Sequence, residues 1–218
     1  MLETLKKQVV EYALQADRMG LCKHRSGNFS IRDEETQLVC ITPTGMDREE
    51  MSYHDIVVMT LDAEVVEAET GQRPTSESLM HLMAYKTRPD VHAIAHTHSK
   101  IATAFAVLNK PIPAVVYEIA ALGCKEGYIP VAPYGRPGTP ALAEPLKISD
   151  VALMEKHGVI AVDGSELKEA LLKASYVEEM AEIYLTTLTI LGGKEPQSVP
   201  KSELQKWEYP KEIKLLQK

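Results

Sequence analysis

Two histidines separated by one residue, His96 and His98, end the apolar stretch Ala93-Ile94-Ala95-His96-Thr97-His98-Ser99. Successive side chains of a strand alternate between faces, so both imidazoles project from one side while Ala95 and Thr97 take the other. Neutral imidazole suits zinc and similar divalent cations, and a third histidine with a carboxylate completes a near-tetrahedral set. His157, followed by Gly158, and Glu77 are the residues that can supply them. An isolated H-x-H pair also fits polar residues on a half-buried strand. Here the two rings end an apolar strand in a protected place, where polar groups need partners. The four residues together read as a metal site.

Neutral hydrogen-bond donors stand nearby in sequence. Ser26-Gly27-Asn28-Phe29-Ser30 opens one strand and Thr42-Pro43-Thr44-Gly45 closes the next, and each by itself is ordinary turn chemistry. The alternative use is an anion nest, with exposed N–H groups beside Gly27 and Gly45 and with Asn28, Thr44, Thr75 and Ser76 as further donors. Thr75 and Ser76 directly precede Glu77. Neutral donors beside a metal site are what a phosphorylated small substrate requires. The remaining histidines, His24, His54, His81 and His92, carry no motif and are expected at the surface or one contact behind the site; His81 lies one turn along the helix from Glu77.

The elements that must position these residues follow from periodicity. Leu2, Leu5, Val9, Tyr12, Ala13 and Ala16 recur at helical spacing before Gly20, which predicts a helix over 2–19. Residues 29–32 and 37–42 read as a β-hairpin, with further strands at 56–61 and 65–66. Ser76 is expected to cap a helix through Leu79, Met80, Met83 and Ala84 that ends before Pro89, with Glu77 in its first turn and the methionines in the core. A short helix from Ile101 to Leu108, a loop-rich stretch over 129–145, strands at 151–154 and 159–162, and a long helix over 166–191 complete the chain. The acidic run Glu64 to Glu69 is expected to be a solvated edge. Recurrent hairpin signals favour an α/β, three-layer fold whose central sheet is mixed and mainly antiparallel, covered by helices.

The 218 residues are enough for one domain with a sizeable core, and 44% hydrophobic with 25% charged residues is ordinary for a globular protein. A single domain spanning 1–218 is therefore expected. The first residues lack the apolar run of a signal peptide, and no stretch of 18 apolar residues occurs, which predicts a cytoplasmic protein. Cys22, Cys40 and Cys124 are odd in number and lack C-x-x-C spacing, as expected of structural thiols in a reduced compartment. A net charge of −7 with scattered basic residues speaks against nucleic-acid or anionic-membrane partners.

The ordered set S-G-N-F-S, I-T-P-T-G, P-T-S-E, A-H-T-H-S, I-P-A-V-V-Y and K-H-G-V-I-A resembles the class II aldolase/adducin family, and most closely its L-fuculose-1-phosphate aldolase branch. The resemblance implies zinc-dependent retro-aldol cleavage of a ketose 1-phosphate to dihydroxyacetone phosphate and a short aldehyde, with one zinc ion per subunit. By position, His96, His98 and His157 match the zinc ligands, and Glu77 matches the fourth ligand and acid/base. Asn28, Thr44, Gly45, Thr75 and Ser76 match the phosphate grip. Tyr117 matches a tyrosine facing the aldehyde-side oxygen, although an aromatic at that place also fits simple packing; Tyr209 matches a tail tyrosine. The resemblance further implies a four-fold homotetramer with sites between subunits. Thr75 stands where the branch commonly has serine, and Lys23-His24-Arg25 adds basic groups beside the expected nest. A pentulose-phosphate 4-epimerase, commonly with aspartate at the position of Glu77, a methylthioribulose-1-phosphate dehydratase and a non-catalytic adducin-like module are the alternatives on the same fold.

Overall fold

Strands whose odd and even residues are both apolar must be covered on both faces. The structure, a computed structural model, describes residues 2–135, 140–142 and 144–206. Its strands are β1 (Asn28–Arg32), β2 (Val39–Ile41), β3 (Val57–Met59), β4 (Val65–Glu67), β5 (Ala93–Thr97), β6 (Ile112–Pro113), β7 (Tyr128–Ile129), β8 (Val131–Ala132), β9 (Val151–Met154) and β10 (Gly158–Asp163). Eight form one sheet in the order β4-β3-β2-β1-β5-β10-β9-β8, and β6 pairs with β7 separately. Every neighbouring pair of the large sheet is antiparallel except β8 with β9.

Helices cover both faces. They are α1 (Glu3–Arg18), α2 (Ser78–Thr87), α3 (Lys100–Val107), α4 (Pro145–Ile148), α5 (Leu167–Ile190) and α6 (Lys201–Leu204). One face of the sheet, with Phe29, Ile31, Ala95, Val159 and Ala161, packs under α1, α3 and α5. The other, with Val39, Ile41, Ile94, Ile160 and Val162, packs under α2 and α4. This is the three-layer arrangement expected from the sequence, with β5, the strand that carries His96, inside the sheet.

Several local expectations are corrected. The strand expected at 56–61 has three residues, the first hairpin strand starts one residue early at Asn28, and the second is trimmed from 37–42 to 39–41 where Asp33 closes the turn by accepting from the Thr36 N–H at 2.9 Å. The loop-rich stretch contains β8, a strand too short to announce itself by alternation. A 3₁₀ helix over Tyr117–Leu122 was not expected. Ser76 is not the cap of α2: Glu77 occupies the N-cap position without a capping side chain, because its carboxylate turns toward the imidazoles instead. The acidic run does form an edge strand with Val65 and Val66 exposed, yet Glu67 and Glu69 pair with Lys6, which α1 buries.

Candidate metal centre

Cross-strand partners point to the same face of a sheet. Asn28 of β1 and Ile160 of β10 both lie opposite His96, so His96 and Asn28 turn to the layer occupied by α2, where Glu77 begins the helix. His96 is fully buried, and its Nδ1 donates to the Val159 carbonyl at 2.8 Å. That bond places a ring proton on Nδ1 and turns Nε2 toward the cluster. His98 follows the last residue of β5, held by its N–H on the Leu21 carbonyl at 3.1 Å. His157 sits in the tight turn between β9 and β10, which Lys156 enters at φ 58°.

The four side chains converge. His96 Nε2 lies 3.0 Å from His98 Nε2 and 3.1 Å from Glu77 Oε2, and His157 Nε2 lies 2.7 Å from Glu77 Oε1. The three rings stand 4.8 to 5.0 Å apart between centroids, at steep angles to one another. One ligand atom from each residue falls within 4.8 Å of all the others. Four ligands at about 2.0–2.2 Å from a common centre lie roughly 3.3–3.6 Å apart, so a small contraction or expansion of this set admits one cation. Three imidazoles and a carboxylate are the donor set zinc or a similar borderline ion takes.

Two glycines make the convergence possible. A Cβ on Gly158 would stand 2.4 Å from the Thr97 carbonyl oxygen and 3.2 Å from ring carbons of both His96 and His98. The bare backbone there lets the His157 turn close over β5. Gly27, at φ +74°, would put a Cβ 2.4 Å from Cys22 Sγ and 2.7 Å from the His96 carbonyl oxygen. Its own carbonyl accepts from Arg48 at 2.5 Å, which pins the loop entering β1.

The electrostatics prepare the donors. Burial, with His96 and His157 close by, pushes His98 down to about 4, so its ring is neutral near pH 7 and ready to ligate. Burial pushes the Glu77 carboxyl up, but the contacts with His157, His96 and Asn28 outweigh it and hold the group below the usual carboxylate range. The net depression differs from the upward shift that burial alone would produce in an acid/base carboxylate. The contacts from His157 and His96 come from the nitrogens that a bound cation would take. Burial also pushes the thiols of Cys22, Cys40 and Cys124 up, to about 11, 12 and 12, in keeping with structural thiols.

Apart from Asn28, the expected donors lie on two segments that are paired with each other. Thr44 N–H bonds the Arg73 carbonyl and Thr75 N–H bonds the Thr42 carbonyl, both at 3.0 Å, which lays 42–45 against 73–75. Thr44, Gly45 and Ser76 are exposed and Thr75 is buried, its Oγ1 accepting from the Glu77 N–H at 3.3 Å. The Asn28 carboxamide is engaged inward, Nδ2 donating to Glu77 at 2.6 Å and Oδ1 meeting His81 Nε2 at 2.6 Å, which leaves one N–H for an outside acceptor. Arg25, not singled out as a site residue beforehand, donates to the Gly45 carbonyl at 3.1 Å and brings a guanidinium to this loop. Tyr117 starts its 3₁₀ helix 57% exposed, without the packing that would account for it as a core aromatic. Tyr209 lies outside the described residues. His81 is fully buried, one contact behind Glu77, and the signal that could have found it is its four-residue spacing from both Glu77 and Tyr85.

Comparison with known proteins shows the family. Residues 7–185 match the model of the Class II Aldolase and Adducin N-terminal domain. The chain is 40% identical over 190 residues to L-fuculose phosphate aldolase of Escherichia coli O6:H1, covering 85% of each chain. It is 36% identical over 209 residues to 5-deoxy-D-ribulose 1-phosphate aldolase of Bacillus thuringiensis serovar kurstaki, covering 94% of each. A solved structure of L-fuculose 1-phosphate aldolase superposes with a TM-score of 0.84 at 35% identity over 93% of both chains. Fold and sequence agree, the three histidines and glutamate are a set that could hold a metal ion, and the chain belongs to the class II aldolase and adducin family as an aldolase-type enzyme.

Proposed function

We propose that this enzyme uses one zinc ion per subunit to cleave L-fuculose 1-phosphate, or a related deoxyketose 1-phosphate, to dihydroxyacetone phosphate and a short aldehyde such as L-lactaldehyde. The observation that carries the reading is the Glu77 carboxylate set between His96 and His157, within a three-histidine cluster. His96, His98, His157 and, in the resting site, Glu77 would hold the ion. When bound, it supplies Lewis-acid stabilisation of the charge left when the C3–C4 bond breaks.

The chain's own residues carry the remaining steps. Thr44, Gly45, Thr75, Ser76 and the free N–H of Asn28 grip the phosphate through neutral donors, with Arg25 adding a positive charge at the Gly45 turn. Glu77 delivers a proton to, or in the synthetic direction removes it from, the carbon that holds the phosphate-side charge. Tyr117 and Tyr209 exchange the proton of the oxygen that becomes the aldehyde. The exposed Tyr117 suits a site completed by a neighbouring copy, and we propose the homotetramer. Light scattering on the eluted protein is then expected to give four times the 24.2 kDa chain mass.

A shorter substrate is supported by the relative named for 5-deoxy-D-ribulose 1-phosphate, which aligns over 94% of this chain. The test is dihydroxyacetone phosphate release from L-fuculose 1-phosphate and 5-deoxyribulose 1-phosphate by zinc-loaded protein, with a chelated sample alongside. Release that the chelator abolishes is expected with at least one of them. No release of this product from either by protein holding stoichiometric zinc would overturn the reading.

A further inference from the structure

Behind Glu77 a buried row of polar side chains runs along the contact between a helix and a strand. Glu77, His81 and Tyr85 recur every four residues from the cap of α2, and Asn28, Ser30 and Arg32 share one face of β1. Four helical residues rise about 6 Å and two strand residues about 6.7 Å, so the two rows keep step over this length. They interdigitate. Asn28 Nδ2 meets Glu77 at 2.6 Å, His81 Nε2 meets Asn28 Oδ1 at 2.6 Å, Ser30 Oγ meets His81 Nδ1 at 2.7 Å, and the Tyr85 hydroxyl meets Ser30 Oγ at 2.8 Å. The Arg32 guanidinium lies 5.3 Å from the Tyr85 ring centre and is tied down by the carbonyls of Pro89 and Val91.

The direction of every bond follows from the one end that can only accept. Ionised Glu77 takes hydrogen bonds and gives none, so Asn28 must present its amide nitrogen there and its oxygen to His81. An oxygen acceptor requires the proton on His81 Nε2, which leaves Nδ1 as an acceptor for the Ser30 hydroxyl. Ser30 has then spent its one proton, so Tyr85 donates to Ser30, with the His92 carbonyl 3.4 Å away as a second acceptor. No donor faces a donor anywhere in the row. His81, Ser30 and Tyr85 have no exposed surface, so water offers no substitute partner.

We propose that His81 is a positioning residue of the metal centre: its Nε2–H locks the Asn28 carboxamide in the orientation that donates to Glu77 and so fixes the carboxylate. This rests on the reading of Glu77 as metal ligand and acid/base. The other two contacts to that carboxylate come from His96 and His157, through nitrogens a bound cation would claim. Asn28 is the contact that survives metal loading. Without the His81 donor, the carboxamide can turn by half a rotation and set its oxygen against the carboxylate.

The test begins with the whole wild-type protein. Long-range proton–nitrogen correlation spectra of the histidine rings are expected to show His81 neutral with its proton on Nε2; a proton on Nδ1 would overturn the proposal. Zinc affinity, read by competition with a chromogenic chelator, is then compared for His81→Leu and His81→Gln. The glutamine amide nitrogen can stand where Nε2 stood. His81→Leu is expected to bind zinc on the order of tenfold more weakly, with His81→Gln restoring most of the loss. Equal weakening in both variants, or none in His81→Leu, would sink the idea. If His81→Leu does not fold, the tautomer decides alone. Neither readout uses turnover, so a protein that binds zinc but cleaves neither ketose phosphate would overturn the proposed function and leave the role of His81 standing.

Discussion

In the proposed reaction Glu77 carries two demands that pull in different directions. It must be ionised and held in place to complete a ligand set, and it must move a proton when substrate displaces it. Exchanging its carboxylate for a carboxamide keeps the shape and removes the charge. For Glu77→Gln, substrate affinity is expected to stay within a few-fold of wild type while kcat falls by about 10²–10⁴, measured on protein shown to hold zinc. Near-normal turnover would remove Glu77 from the chemistry. His81 makes a separate prediction in the metal-free protein. Burial, aided by His96, pushes it down to about 3, whereas in the unfolded chain it lies near 6.5. Between those values the unfolded chain binds a proton that the folded one refuses, so stability falls as pH drops from about 6.5 toward 3. Denaturant midpoints of chelated protein at pH 7 and pH 5 are expected to differ less for His81→Gln than for wild type.

At the scale of elements, the site depends on where three of them start or stop. β5 must end just before His98, α2 must begin at Glu77, and the β9–β10 turn must hold His157. The start of α3, two residues beyond His98, is held from another layer element: Glu178 of α5 accepts from the N–H groups of Ile101 and Ala102 at 2.9 and 2.8 Å. A carboxylate there satisfies two orphan donors and complements the helix dipole. Glu178→Ala is expected to cost about 1–2 kcal/mol in urea unfolding and to weaken zinc binding through the looser His98 segment. Unchanged unfolding would show that α3 caps itself. These features were only partly legible in the sequence. The apolar run of β5 and the H-x-H spacing are local, and they gave the strand and its ligand face directly. The N-cap at Glu77 was misplaced to Ser76 because local capping preference was overridden by a tertiary demand on the carboxylate. Glu178 lies in the middle of a helix, where nothing in its neighbours marks it as a cap for another element.

Across the whole molecule, the metal would join the sheet, the α2 layer and the β9–β10 turn at one point. Ligand binding to the folded state alone stabilises it by RT ln(1 + [L]/Kd), about 4 kcal/mol at a thousandfold excess over Kd. For a chain of this length that amounts to roughly 10 °C. Chelation is therefore expected to lower the melting temperature of wild type by about that much, and to leave His96→Ala, which lacks a ligand, almost unmoved. An equal shift in both would place the stabilising ion elsewhere. Among the described residues no helix is long and apolar enough to cross a membrane, and the apolar surface goes into the two packed layers instead.

Local pattern was enough for the layered class of fold, the His96/His98 pair and the donor-rich turns, while Glu77 and His157 were joined to the pair as the residue types that complete a ligand set. The local features are written at short range: alternation for the sheet, spacing for H-x-H, glycine and hydroxyl residues for the turns. Which residues stand behind them was settled by packing alone. Asn28 and His81 are 53 residues apart, and their hydrogen bond exists because α2 lies along β1 with matching rise. That match is a property of two elements packed together. No window of sequence contains it, and so the choice for His81 between the surface and a place one contact behind the site was made only when the fold laid its ring against Asn28.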